Sequence, residues 1–369
     1  MKIAQIAPLY ESVPPKLYGG TERIVHYLTE ELVKRGNEVT LFASGDSITK
    51  GRLVANVDTS LRLNERCVDP LAHHIVQMEE VIERVNEFEV LHFHTDYLHF
   101  PFSSQISVPC ITTLHGRLDL SDLQNVYKKF PFQKVVSISD YQRLPLPKAN
   151  FIATVYHGLP QELHHAGKGD GGYLAFLGRI SPEKGIDKAI EIAIASKTPL
   201  KIAAKVDKVD QQYFERRIQP LLDHPLIEFI GEINEVQKTS FLGKAKAVLF
   251  PINWAEPFGL VMIEAMACGT PVIAFKNGSV PEVIDEGKSG FIVNTVEEAI
   301  EAVAKVPKLS RSVVREVFEK RFTAWRMAED YIRLYTSLIS GHINNNAKIS
   351  TLDVRPSIET NLFIRTSKL

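Results

Sequence analysis

The chain has 369 residues, which at about 150 per domain indicates two domains. Apolar residues make up 44% and charged residues 24%, a soluble globular mixture, and 43 Lys and Arg against 44 Asp and Glu leave a formal net charge of -1. That balance gives no global field for nucleic acid or an anionic membrane, so neither partner is indicated.

No apolar run nears the roughly 18 residues of a membrane span. The opening MKIAQIAPLY, broken by Gln5 and Pro8, is too short for a signal peptide. Cys67, Cys110 and Cys268 lie far apart with no CxxC pair, which argues against a disulfide framework or zinc knuckle. A cytoplasmic location is the expectation.

In chain order, KIAQIA (2–7) reads as a strand and TERIVHYLTEELVKRG (21–36) as an amphipathic helix stopped by Gly36. EVTLFAS (38–44), VLHFH (90–94), CITTLH (110–115) and KVVSIS (134–139) read as further strands, with a helix at 71–88. The polar, glycine-rich QELHHAGKGDGG (161–172) marks a boundary. Beyond it, strands YLAFLG (173–178), LKIAAKV (200–206), IEFIGE (227–232), AVLFPI (247–252), PVIAF (271–275) and FIV (291–293) alternate with helices. Those helices are expected at 185–196, 210–222, 234–245, 257–269 and 296–306. The strands are nearly continuous apolar runs, as in parallel sheets covered on both faces. The predicted fold is α/β, two doubly wound Rossmann-like domains facing across a cleft. The expected divisions are 1–165, 172–320, a helix at 322–339, and a tail at 341–369 with no assigned role.

Ligands of such sheets bind beyond the carboxyl ends of the strands, and three segments there carry chemistry. In PLYESVPPKLYGGTER (8–23), Gly19 and Gly20 precede a helix and allow backbone amides to approach an anion. The spacing is neither GxGxxG nor a P-loop, and the plainer reading is a turn. In GRISPEKG (178–185), Arg179 ends a strand and Lys184 sits where a helix begins, against the macrodipole. A diphosphate between them makes sense of both; two solvated cations is the alternative. In NWAEPFGLVMIEAMACGTPVIA (253–274), Phe258, Gly259 and Leu260 offer first-turn N–H groups. Glu256 there also fits a plain helix-start carboxylate. Glu264 lies inside an otherwise apolar run and needs hydrogen-bond donors, which sugar or ribose hydroxyls supply.

His92 and His94 form an H-x-H, yet no convergent third ligand is evident, so no metal is expected. His94, Asp96 and Tyr97 are candidates for an acceptor cleft. Cys268 reads as a small core residue.

GRISPEKG with EPFGLVMIE, an E-x7-E pattern, resembles the family 4 retaining glycosyltransferases of the GT-B fold. YGGTER, TLHG (113–116), SISDYQR (137–143), GTPVIA (269–274) and the FTAW helix opening (322–325) support it. The resemblance runs from residue 1 to about 339 and is more specific in the second half. It implies that Arg179 and Lys184 neutralise a nucleotide diphosphate, with backbone N–H groups at Gly20, Gly259 and Leu260. Glu264 would accept from ribose, Glu256 would face the transferred sugar, His115 would approach it from the first domain, and Gly231 to Ile233 would border the base. The helix at 322–339 would cross back to the first domain. One departure is VYHGLP (155–160), where His157 replaces the usual Asn.

The implied activity is retaining transfer of a hexose, UDP-glucose favoured as donor and GDP-mannose next, to a hydroxyl acceptor: carbohydrate, small molecule or lipid-linked. No D-x-D triplet is present, so metal-independent transfer without a cofactor is expected. The competing readings are a non-catalytic nucleotide-sugar-binding protein and another GT-B enzyme such as an epimerase.

Overall fold

The computed structural model describes residues 1–16 and 19–346; the tail expected from 341 lies outside the described residues from 347 onward. The first sheet contains β1 (Lys2–Ile6), β2 (Glu38–Phe42), β3 (Arg52–Val54), β4 (Val90–Phe93), β5 (Cys110–Thr113), β6 (Lys134–Ser137) and β7 (Asn150–Thr154). The second contains β8 (Leu174–Arg179), β9 (Leu200–Lys205), β10 (Ile227–Gly231), β11 (Ala247–Phe250), β12 (Val272–Phe275) and β13 (Gly290–Val293). Every pairing is parallel, in the orders β3-β2-β1-β4-β5-β6-β7 and β10-β9-β8-β11-β12-β13.

Both orders reverse beside the first strand of their domain, at β1/β4 and at β8/β11. Connections leave in opposite directions there, and a crevice opens. The segments after β1, β4, β8 and β11 are therefore the ones the topology delivers to ligand. The central strands β4, β11 and β12 are buried at every position, which explains their unbroken apolar runs.

The Gly20–Lys34 helix buries Ile24, Val25, Leu28 and Leu32 against the first sheet. Asn234 and Gln237 form a capping box on the Glu235–Lys244 helix, and Thr295 caps Val296–Lys305. The helix expected at 210–222 is instead broken. A short α turn, a π turn over Phe214–Ile218 and a 3-10 turn over Gln219–Leu221 replace it. Pro220 lacks the N–H that a regular helix needs there.

The chain crosses between domains twice. Arg311 fixes the outward crossing, donating to Gly167 O (2.8 Å), Gly243 O (3.0 Å) and Thr270 Oγ1 (2.6 Å). On the return, Leu159 bonds the backbone of Phe322 and Ala324. Gly158 lies so close that a Cβ would stand 2.2 Å from Thr323 O. The long helix then runs Ala324–Asn346, starting two residues later and ending seven later than expected, and packs on the first domain. Its Tyr335 and Tyr331 hydroxyls meet Gln5 and Thr113 at 3.1 and 2.7 Å, and Glu329 pairs with Arg35. The Ser139 hydroxyl also donates across the domains to Pro257 O at 2.6 Å.

Candidate active site

A cavity of about 650 Å³ lies between the carboxyl edges of the two sheets. Gly19, Gly20, His94, Asp96, Tyr97, His115, Arg179, Lys184, Ile233, Glu256, Phe258, Gly259, Leu260 and Glu264 all line it. Among the expected site residues only Gly231 is not on the wall. It ends β10 with a left-handed φ of 73° and turns the chain so that Glu232 and Ile233 face inward.

Two helix N-termini converge in this cavity. The Gly20–Lys34 helix enters from the first domain and Leu260–Ala267 from the second, and a Cβ on Gly20 would lie 3.6 Å from Leu260 Cδ1. Their N-cap residues, Gly19 and Gly259, provide no side-chain cap, so first-turn N–H groups remain for a ligand. Gly259 has a φ of 81°, and a Cβ there would meet Met262 Cε at 2.8 Å. Glycine is thus required both by conformation and by space. Two positive dipole ends lining one cavity suit an anion.

Lys184 lines the same cavity, its Nζ 2.5 Å from Glu256 Oε2. That same oxygen accepts from Trp254 Nε1 at 3.0 Å, and the ammonium lies 5.2 Å from the Trp254 ring centre. Glu256 therefore aims the lysine into the cavity while its Oε1 makes no hydrogen bond among the described residues. Arg179 also reaches the wall but is surrounded by acids: Glu183, Asp207 at 3.6 Å and Asp210 at 3.4 Å.

Glu264 is buried within the Leu260–Ala267 helix, as expected, and its compensation is a residue the sequence reading missed. Lys238 Nζ lies 2.7 Å from Glu264 Oε1 and 3.3 Å from Glu235 Oε2. Glu235 in turn binds Arg23 of the first domain and stands 3.3 Å from His164. Burial alone would raise the Glu235 carboxyl, but His164, Lys238 and Arg23 hold it well below the usual range. His164, Glu235 and Glu264 have metal-ligand spacing. The Lys238 ammonium already supplies the positive charge to both carboxylates. Removing it strands a buried anion, so Lys238→Met should lower stability by about 3 kcal/mol. Denaturant titration reads this directly, and an unchanged midpoint would refute the pairing.

A chain of hydrogen bonds reaches His115 from the crossing helix. The Tyr335 hydroxyl contacts His92 Nδ1 at 2.6 Å and accepts from Gln5 Nε2 at 3.1 Å; Gln5 Oε1 lies 2.7 Å from His94 Nε2. His94 Nδ1 then meets His115 Nε2 at 2.9 Å. Since Gln5 Oε1 only accepts, His94 carries its proton on Nε2 and takes one from His115 Nε2–H. His115 Nδ1 is thereby left as a buried lone pair without a partner. His157 stacks on His115, ring centres 5.2 Å apart, and meets Phe258 edge-on at 4.9 Å. Burial pushes His115 down to about 3 and His92, His94 and His157 well below the ordinary imidazole value, so all four are neutral at pH 7. His94, expected in the acceptor cleft, has both ring nitrogens engaged and holds His115. Asp96 and Tyr97 do face the cavity.

Residues 164–320 match the family described as Glycosyl transferases group 1, and residues 18–167 match Glycosyltransferase Family 4. The chain belongs to the family 4 glycosyltransferases. A phosphatidyl-myo-inositol mannosyltransferase of Mycobacterium leprae is 25% identical over 353 residues, covering 86% of this chain and 89% of that protein. The sucrose-phosphate synthase of Thermosynechococcus elongatus superposes with a TM-score of 0.74 at 19% identity, over 92% of this chain and 99% of that one. HepE of Anabaena, solved with UDP-glucose, gives 0.69 at 17% identity, over 92% and 100%. This glycosyltransferase accordingly has the GT-B architecture, and its cleft is the one described above.

Proposed function

We propose that this glycosyltransferase moves a hexose from a nucleotide sugar to a hydroxyl acceptor with retention at the anomeric carbon and without a metal. UDP-glucose is the favoured donor and GDP-mannose the next. The observation that carries the reading is that two helix N-termini without side-chain caps and the Lys184 ammonium line one cavity. As the bond from the anomeric carbon to the β-phosphate oxygen breaks, negative charge grows on that oxygen. Lys184 and the N–H groups at Gly20, Gly259 and Leu260 stabilise it where it develops. The acceptor oxygen bonds to the same face, and its proton passes to the departing phosphate.

Arg179 assists once the diphosphate replaces part of its acidic shell. Glu256 Oε1 takes a hydroxyl of the transferred sugar, and Glu264 Oε2 takes ribose, its other oxygen being held by Lys238. His115 Nδ1 accepts a further sugar hydroxyl, and Gly231 to Ile233 border the base. The complex of HepE with UDP-glucose supports the choice of donor. A thermal-shift panel of UDP-, GDP-, ADP- and dTDP-sugars, with and without magnesium, tests the reading. One nucleotide should raise Tm equally in both conditions; no shift with any would overturn it.

A further inference from the structure

The two walls of the cavity differ in charge. The second domain contributes four cations, Arg179, Lys184, Lys205 and Lys238, against Glu232, Glu256 and Glu264, a small positive excess that suits a diphosphate. The first domain contributes Glu22 and Asp96, and no ion pair to either carboxylate is found among the described residues. The cations of this wall are already matched: Arg62 lies 2.7 Å from Glu11, and Arg23 binds Glu235.

Three observations indicate that this wall is built for a ligand. Thr95 is 4% exposed, and its Oγ1 is buried without a hydrogen-bond partner where the residue lines the cavity. Such a hydroxyl is costly unless a bound group completes it. Asp96 lines the same cavity with a left-handed φ of 51°, a conformation Asp holds more readily than most non-glycine residues. Glu22 is 6% exposed, and burial pushes its carboxyl up to about 7, so near neutrality it both donates and accepts. Tyr10 and Tyr97 add two accessible aromatic rings.

We infer that this wall takes an uncharged polyol, so that the acceptor is a carbohydrate hydroxyl and not a sugar phosphate or anionic lipid headgroup. The inference rests on the donor reading above and names the other substrate. Hydroxyls satisfy Thr95, Asp96 and Glu22 together, and sugar C–H faces lie on tyrosine rings. A phosphate in the same place meets the Asp96 carboxylate and gains Arg62 only by displacing Glu11 from it, which disfavours it against an uncharged polyol.

The test uses the full-length protein with the nucleotide sugar that the thermal-shift panel selects. Nucleotide release is followed with uncharged mono- and disaccharides, with their phosphorylated counterparts, and with phosphatidylinositol vesicles. An uncharged acceptor should exceed its phosphorylated form by at least about 100-fold in kcat/KM. Asp96→Arg should narrow that ratio at least about tenfold, and the milder Glu22→Gln should narrow it less. Turnover of no uncharged acceptor, preference for a phosphorylated or lipid one, or a ratio indifferent to both substitutions would overturn the inference. Donor binding and consumption with the wrong acceptor preference would sink this inference alone; absence of donor binding would sink the donor reading and this with it.

Discussion

Lys184→Ala should lower kcat/KM for the nucleotide sugar by about 10³-fold, the loss expected when one stabiliser of a developing oxyanion is removed. Lys184 lines the same cavity as the two helix N-termini and is fixed by a built contact, its Nζ 2.5 Å from Glu256. The helix N–H groups remain in the variant, which is why some activity should persist. Lys184→Arg should recover part of the loss, since charge is retained while the contact to Glu256 is reshaped. Adding Glu256→Gln to the alanine variant should cost less than it does alone, because the two side chains act as a unit. Steady-state kinetics at saturating acceptor gives all three values. Unchanged kcat/KM in Lys184→Ala would remove Lys184 from the site.

Acidification should destabilise the protein sharply below about pH 6.5. His92, His94, His99 and His157 are each less than 5% exposed, and burial depresses all four imidazoles. The unfolded chain takes up protons near 6.5 and the folded one only far lower, to about 3 for His99. Their contribution is therefore complete above 6.5 and is lost as pH falls towards the folded values. Between pH 7 and 5.5 each costs about 1.3 kcal/mol, or about 5 together. Glu22 acts in the opposite sense. Its folded value of about 7 lies above the ordinary 4.5, so protonation over this window favours the folded state by about 1.5 kcal/mol. Asp96, which burial pushes up to about 6, acts in the Glu22 sense by about 0.8 kcal/mol, and His115, held at about 3, adds about 1.3 to the histidine side. The histidines win, leaving a loss of about 4 kcal/mol against a total stability of typically about 5–15. Urea denaturation at the two pH values should show it, and His99→Gln should reduce the pH slope by about a fifth of the histidine share. Equal stability at pH 7 and 5.5 would contradict neutral burial of these rings.

The second-domain wall of the cavity was legible because each of its parts is local. A strand end, a turn and a helix start lie within ten residues of one another, and GRISPEKG and EPFGLVMIE each contain a complete part. What packing alone assembles was not legible. Lys238 reads as one more polar residue of a helix, and nothing in its neighbourhood announces Glu264, 26 positions away. His94 was expected in the acceptor cleft because it stands at a strand end beside Asp96 and Tyr97. Its role as the support of His115 depends on Gln5 meeting Tyr335, 330 residues apart. The same limit governed the sheets. The buried central strands were evident, whereas the edge strands Arg52–Val54 and Asn150–Thr154 contain mostly half-buried positions and no clear apolar run. The 210–222 segment shows the converse error, since a helical apolar period persisted through a proline that the backbone could not accommodate.

The central claim is that two helix N-termini and Lys184 hold a nucleotide diphosphate without help from a metal. Calorimetric titration of UDP-glucose into the protein in EDTA tests it most directly, with Lys184→Ala titrated alongside. Saturable one-to-one binding in EDTA, weakened at least tenfold by the substitution, is the predicted result. Binding that appears only with a divalent cation, or that is indifferent to Lys184, would contradict it.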